Sequence, residues 1–130
     1  MKKILIIHGQ VNIREYLADK LAAEGYLVVP IGRSTLAQEV ILSLSPDLIL
    51  LNMDMDKYAV AEELKQLSPS LPILALTTWR GSGKDLCSSL DDVYVIKGLQ
   101  FNGLEKKVVA VLQRQTVNFK EHVKSNNLQI

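Results

Sequence analysis

The sequence predicts an α/β fold, a three-layer doubly wound domain on a five-stranded parallel sheet. Three observations carry the prediction. Short apolar runs, most of them rich in β-branched residues, recur five times along the chain, the pattern of strands buried on both faces. Segments with helical apolar spacing separate them, and that alternation means parallel strands joined by right-handed crossovers. The chain has 130 residues, 48% hydrophobic and 22% charged. That is one domain with enough apolar material for a core without disulfide or metal staples.

Each element has its own signal. Ile4-Leu5-Ile6-Ile7 is the first strand, broken by His8-Gly9-Gln10. Ile13, Leu17 and Leu21 recur at helical spacing, with Asn12 as the expected N-cap and Gly25 as the stop. Tyr26 to Pro30 reads as the second strand, and Ser34 is placed to cap a helix running through Leu44. Pro46-Asp47 opens the third strand, Leu48 to Leu51, and a polar loop follows from Asn52. Val60, Leu64 and Leu67 mark a third helix, ended by Ser68-Pro69-Ser70. Pro72 to Leu76 is the fourth strand, Lys84 to Leu90 a weak fourth helix, and Val93 to Ile96 the fifth strand. A last amphipathic helix begins near Asn102 and carries Leu104, Val108, Val111 and Leu112. Residues 1–115 form the expected domain, and 116–130 a C-terminal helix extension or tail.

Composition excludes several functions. A net charge of +1 gives no global attraction to nucleic acid or anionic membrane. The single cysteine, Cys87, cannot form an internal disulfide, which fits a reducing compartment. Met1-Lys2-Lys3 and the following apolar run start like a signal peptide, but the run stops at His8, too short for an h-region. The expectation is a cytoplasmic protein. Gly81-Ser82-Gly83-Lys84 is not a phosphate loop, because Thr78 stands where the earlier glycine is required and Asp85 follows the lysine. The tail after Leu104 carries five basic and two acidic side chains, which reads as a solvated basic face or as an extension toward a partner. Open sheets of this kind place their sites at the carboxyl ends of the strands. The residues there are His8, Gly9, Gln10, Asn52, Thr77, Thr78 and Lys97.

At this point the chain resembles the receiver domains of response regulators, the CheY-like family with flavodoxin-like topology. The likeness spans roughly residues 3–114 and rests on segments in the family's order. Lys3-Ile4-Leu5-Ile6-Ile7, Asn12-Ile13-Arg14 and Glu24-Gly25-Tyr26 look like its first strand, helix and turn. Pro46 to Leu51, Leu71 to Thr77 and Asp91 to Lys97 look like its third, fourth and fifth strands. The resemblance implies strand order 2-1-3-4-5, two-component phosphorelay signalling, and a phosphoacceptor aspartate after strand three. It also implies an acidic pair holding Mg²⁺, a Thr and a Lys on the phosphoryl oxygens, and a switch aromatic.

The residues at those positions depart from the pattern. The acceptor position holds Asn52, and the acidic-pair positions hold His8 and Gly9. Thr77 and Lys97 are retained, Tyr94 takes the switch-aromatic position, and Gly98 replaces the usual proline. A neutral amide lacks the anionic oxygen that attacks phosphorus, and Mg²⁺ wants hard oxygen ligands including carboxylates. The expectation is therefore a non-enzymatic pseudo-receiver with no cofactor and weak or absent Mg²⁺ binding. A cation beside a neutral amide also leaves Lys97 less tightly held. Its partner would be a protein, a histidine kinase or an output domain. The family's contact face is formed by the fourth helix, fifth strand and fifth helix, where a homodimer would also form.

Alternatives stand beside this reading. Asp54, the nearest carboxylate to Asn52 in sequence, is either a shifted acceptor or a solvated loop aspartate. His8 is a metal ligand, a phosphorylatable imidazole or a strand-end polar residue satisfied by its neighbours. Tyr94 is a switch or an ordinary strand tyrosine. Trp79 contacts a partner or packs on the domain. Thr77, Thr78 and Lys97 could also bind a small molecule or anion at the vacated site.

Overall fold

The computed structural model describes residues 1–53, 58–78, 90–96, 101 and 103–114. Five strands, β1 (Lys3–Ile7), β2 (Leu27–Ile31), β3 (Leu48–Asn52), β4 (Ile73–Thr77) and β5 (Asp92–Val95), form one sheet. Every neighbouring pair is parallel, in the order β2-β1-β3-β4-β5. Helices α1 (Val11–Ala23), α2 (Ala37–Leu44) and α3 (Tyr58–Leu67) follow the first three strands. A C-terminal helix covers 104–114. The expected helix over 84–90 and the tail over 116–130 lie outside the described residues, Leu90 apart.

Strand periodicity sorts the core into two layers. Ile4, Ile6, Leu48, Leu50, Leu74 and Leu76 meet Leu17 and Leu21 of α1 and Leu104, Val108, Val111 and Leu112 of the C-terminal helix. The alternate residues Leu5, Ile7, Ile49, Leu51, Ile73 and Ala75 meet Ala37 and Ile41 of α2 and Ala61 and Leu64 of α3. The central strands β1, β3 and β4 are therefore apolar along nearly their whole length, as strands covered on both faces must be. Strands β2 and β5 are only partly buried and form the edges. Pro30 sits on such an edge, where a missing N–H is tolerated. No helix of the described residues is long and apolar enough to cross a membrane.

Three boundaries differ from the sequence expectation. Helix α1 begins after Gln10, not after Asn12, and its N-cap makes no side-chain hydrogen bond. The segment after β2 opens with a 3-10 turn, Ser34–Leu36, so Ser34 caps no α-helix and α2 starts at Ala37. Asn52 and Thr77 are the last residues of their strands and not the first of loops. The reason is that ladders continue past the apolar runs, with Met53 N–H donating to Leu76 O at 2.9 Å and Ile96 N–H to Thr77 O at 2.8 Å. At the other end of α1, Gly25 has φ +97°, the left-handed stop that glycine makes without strain.

Two acidic side chains tie the opposite, amino edge of the sheet. Asp47 Oδ2 accepts the Lys3 N–H at 2.8 Å. Asp91 Oδ2 accepts both Lys65 Nζ and the Ile73 N–H at 2.7 Å.

Candidate functional site

Among the described residues the buried polar side chains are His8, Asn52 and Thr77. All three lie at the carboxyl edge of the sheet, where β1, β3 and β4 end. Nine-tenths or more of each is shielded from solvent, although nothing in their polarity would favour burial. Register brings two of them level. Ile7 pairs with Leu51, so the next step along both strands sets His8 beside Asn52. Thr77 is one step beyond the partner of Asn52, Leu76. By strand alternation its side chain therefore leaves the sheet on the other face.

His8 is woven into the start of α1. Its N–H extends the β1–β2 ladder to Ile31 O at 3.1 Å. Its imidazole Nδ1 accepts the Gln10 N–H at 3.1 Å. An acceptor Nδ1 puts the proton of a neutral ring on Nε2. The ring thus does what a side-chain cap would otherwise do for the turn. The His8 carbonyl accepts Arg14 Nη1 at 2.8 Å, and the Arg14 N–H closes the first helical turn on Gln10 O at 2.9 Å.

Arg14 reaches that carbonyl by crossing Gly32. A Cβ at position 32 would stand 2.7 Å from Nη1, so a larger residue there would oblige the end of the Arg14 side chain to shift. Sequence reasoning did not single out Arg14 or Gly32 as site residues. The readable signal was a glycine directly after an edge strand, a place where close approach of another group is common. By contrast a Cβ at Gly9 would meet nothing within 4 Å, so there is room for a side chain.

Tyr94 is half-buried on β5, paired with Leu76 and packed against the α1-side core. Burial, reinforced by Glu105, pushes its phenol up, and Lys20 opposes them. Beside it, Lys20 bridges α1 to the C-terminal helix through Glu105 at 2.8 Å. The Lys20 ammonium holds the Glu105 carboxyl below its usual range. Tyr16 and Phe101 complete this cluster, with ring centroids 5.3 Å apart. Lys97, Gly98, Asp54 and Trp79 lie outside the described residues.

The donor set of this edge does not match Mg²⁺. His8, Gly9 and Asn52 contribute no carboxylate, whereas Mg²⁺ is usually held through one or two. Among the described residues no group of three His, Cys, Asp or Glu side chains could hold a metal ion.

No family model matches the chain. Among curated proteins it is similar to the probable transcriptional regulator ycf27 of Cyanophora paradoxa, 32% identical over 119 residues, covering 87% of this chain and 49% of that protein. It is also similar to the two-component response regulator PhoP of Pseudomonas aeruginosa, 28% identical over 120 residues, covering 88% and 53%. The chain spans about half the length of the curated relatives it matches. Among solved structures it resembles the response regulator TrrA of Thermotoga maritima in complex with Mg²⁺-BeF. That match has 30% identity and a TM-score of 0.75 over 85% of this chain and 99% of the other. TrrA bound to the histidine kinase ThkA matches at 29% identity and a TM-score of 0.73, covering 86% and 99%. The 2-1-3-4-5 parallel sheet and this whole-domain likeness place the chain in the response-regulator receiver family, the CheY-like domains of two-component signalling.

Proposed function

We propose that this receiver is a pseudo-receiver, one that takes no phosphoryl group at Asn52, catalyses no reaction and signals through protein–protein contacts. The observation that carries the reading is the level pair His8 and Asn52 at the ends of β1 and β3. The family places an acid and the phosphoacceptor there, and this chain offers an imidazole and an amide. Phosphoryl transfer needs a nucleophile and compensation of developing charge. Both are lost when the carboxylates are. Mg²⁺ binding is correspondingly weak or absent. Thr77 and Lys97 then remain as the phosphate-contact positions of a site that no longer turns over.

The partner is a histidine kinase or an output domain. The kinase complex of TrrA supports a protein partner for receivers of this kind. The contact face, where a homodimer also forms, comprises the fourth helix expected over 84–90, β5 and the C-terminal helix. Tyr94 and the Lys20–Glu105 bridge border that face.

The decisive experiment is intact-mass spectrometry after incubation with acetyl phosphate and Mg²⁺. The expected result is an unchanged mass. An adduct of about 80 Da, the mass of one phosphoryl group, would show that another carboxylate such as Asp54 has taken over acceptance.

A further inference from the structure

His8 is only 4% exposed, yet its ring is the acceptor that closes the β1–α1 turn. The N-cap residue of this helix, Gln10, makes no side-chain cap bond, and the first turn holds no acid. A neutral imidazole has one acceptor nitrogen, and an imidazolium has none. Protonation therefore puts a hydrogen on Nδ1, pointing at the Gln10 N–H. Turning the ring over brings only another N–H to the same place. The His8 backbone is held on both sides, by Ile31 O at 3.1 Å and by Arg14 Nη1 at 2.8 Å. The adjustment falls on the ring and on Gly9 and Gln10, both exposed. A Cβ at Gly9 would meet nothing within 4 Å, so the turn has space to open.

The surrounding groups set the pH at which the ring charges, not what charging does. Arg14 stands at the His8 carbonyl, and the amino end of α1 is the positive end of its dipole. Both oppose an imidazolium, as burial does. Arg33 follows β2 and is exposed, while Asn52 and Thr77, at the ends of β3 and β4, are neutral. Asp54, Asp56 and Lys57 after β3, Arg80 and Lys84 after β4, and Lys97 after β5 lie in the sequence around this edge. Whatever charge they add, a protonated Nδ1 cannot accept the Gln10 N–H.

We infer that His8 makes the β1–α1 turn a proton-operated switch. With the ring neutral, the turn is closed on Nδ1. With the ring charged, the Gln10 N–H is released and the first turn of α1 loosens. The input is a change of pH and needs neither metal nor phosphoryl group. The switch therefore goes beyond the function proposed above and holds whether or not the chain accepts phosphate.

The test is an NMR titration of the isotope-labelled full chain from about pH 8 to about pH 5, the range of histidine switches. The carbon-bound ring protons of His8 report its charge, and the chain's other histidine is His122. The midpoint of the His8 ring should coincide with that of the Gln10 amide shift. Protection of the Gln10 N–H from exchange, corrected for the intrinsic rate at each pH, should fall roughly tenfold, the loss of one hydrogen bond. Far-UV circular dichroism should stay unchanged across the range. In His8→Asn the side-chain oxygen replaces Nδ1 as an acceptor that does not titrate, so Gln10 should stay protected throughout. His122→Gln should behave as the parent. The coincidence of midpoints in the parent decides the matter if His8→Asn fails to fold. A ring still neutral at about pH 5, or a Gln10 amide indifferent to the ring's charge, overturns the inference. So does a response that survives His8→Asn, one that is lost with His122→Gln, or global unfolding at the same midpoint.

Discussion

Asp91→Ala should be among the most destabilising single changes at the amino edge of the sheet. The Asp91 carboxylate closes a ring with Ile73. Its own N–H donates to Ile73 O at 2.9 Å, and its Oδ2 takes the Ile73 N–H back at 2.7 Å. Ile73 is fully buried, so removing the carboxylate strands its N–H away from water. A buried donor left without an acceptor costs about 1–3 kcal/mol. The same oxygen pairs with Lys65, whose side chain is 21% exposed. A pair so open to solvent adds about 0.2–1 kcal/mol. The total is roughly 1.2–4 kcal/mol, a sizeable share of the ~5–15 kcal/mol stability of an ordinary domain. Asp91→Asn keeps an acceptor oxygen for Ile73 and removes the charge, so it should cost about 0.5–1 kcal/mol. Lys65→Met should fall between the two, because it also removes the hydrogen bond to Leu71 O. Urea unfolding followed by circular dichroism gives all three values, and the Ala–Met double variant gives the pair energy. If Asn costs as much as Ala, the charge and not the buried N–H carries the effect, and the reasoning fails.

Three further outcomes follow from other parts of the molecule. His8→Asp with Gly9→Asp and Asn52→Asp should be stabilised by added Mg²⁺, by about 2.7 kcal/mol of linkage at a hundredfold excess over Kd, read as a rise in melting temperature. The parent should not respond, and equal responses would show that these are not the acidic-site positions. Burial pushes the Asp92 carboxyl up, but the Val93 N–H, Arg114 and Lys107 outweigh it and hold it below its usual value. A depressed carboxylate stabilises the fold above its unfolded pKa, near 3.9, and loses that contribution as pH falls through the folded value. Asp92→Asn should therefore cost about 1 kcal/mol at pH 7, and its deficit in thermal melts should shrink below about pH 4. Ser45 ends α2 at φ 52°, so Ser45→Gly should raise stability by about 0.5 kcal/mol, read from the urea midpoint. A loss there would mean that Ser45 holds its conformation through a contact and not under strain.

Much of the architecture was legible because periodicity and burial agree. The five apolar runs became the five strands, and Leu104, Val108, Val111 and Leu112 all turned inward. The start of α1 was not legible, because its cap is made by the His8 ring and not by a side chain of the helix sequence. Nor was the burial of His8, Asn52 and Thr77, since polarity argues for solvent and only the extended ladders keep them inside. Segment order alone led to the expectation that His8, Asn52 and Thr77 lie at the carboxyl edge of the sheet, where β1, β3 and β4 end. The Arg14–Gly32 crossing and the Lys65–Asp91 pair could not be read in that way, because each joins segments distant in the chain.

Pro30 has a consequence for how this protein behaves in a crowded solution. On β2, Leu27 donates inward to Lys2 O and Ile31 accepts inward from His8. Odd-numbered residues therefore bond to β1, and the outward N–H groups belong to Val28 and position 30. Proline has none, so Val28 holds the one free donor on the outer rim of the strand. An incoming strand would find no continuous row of donors to pair with. Growth of the sheet into higher aggregates is blocked at this edge without any ladder bond within the domain being lost.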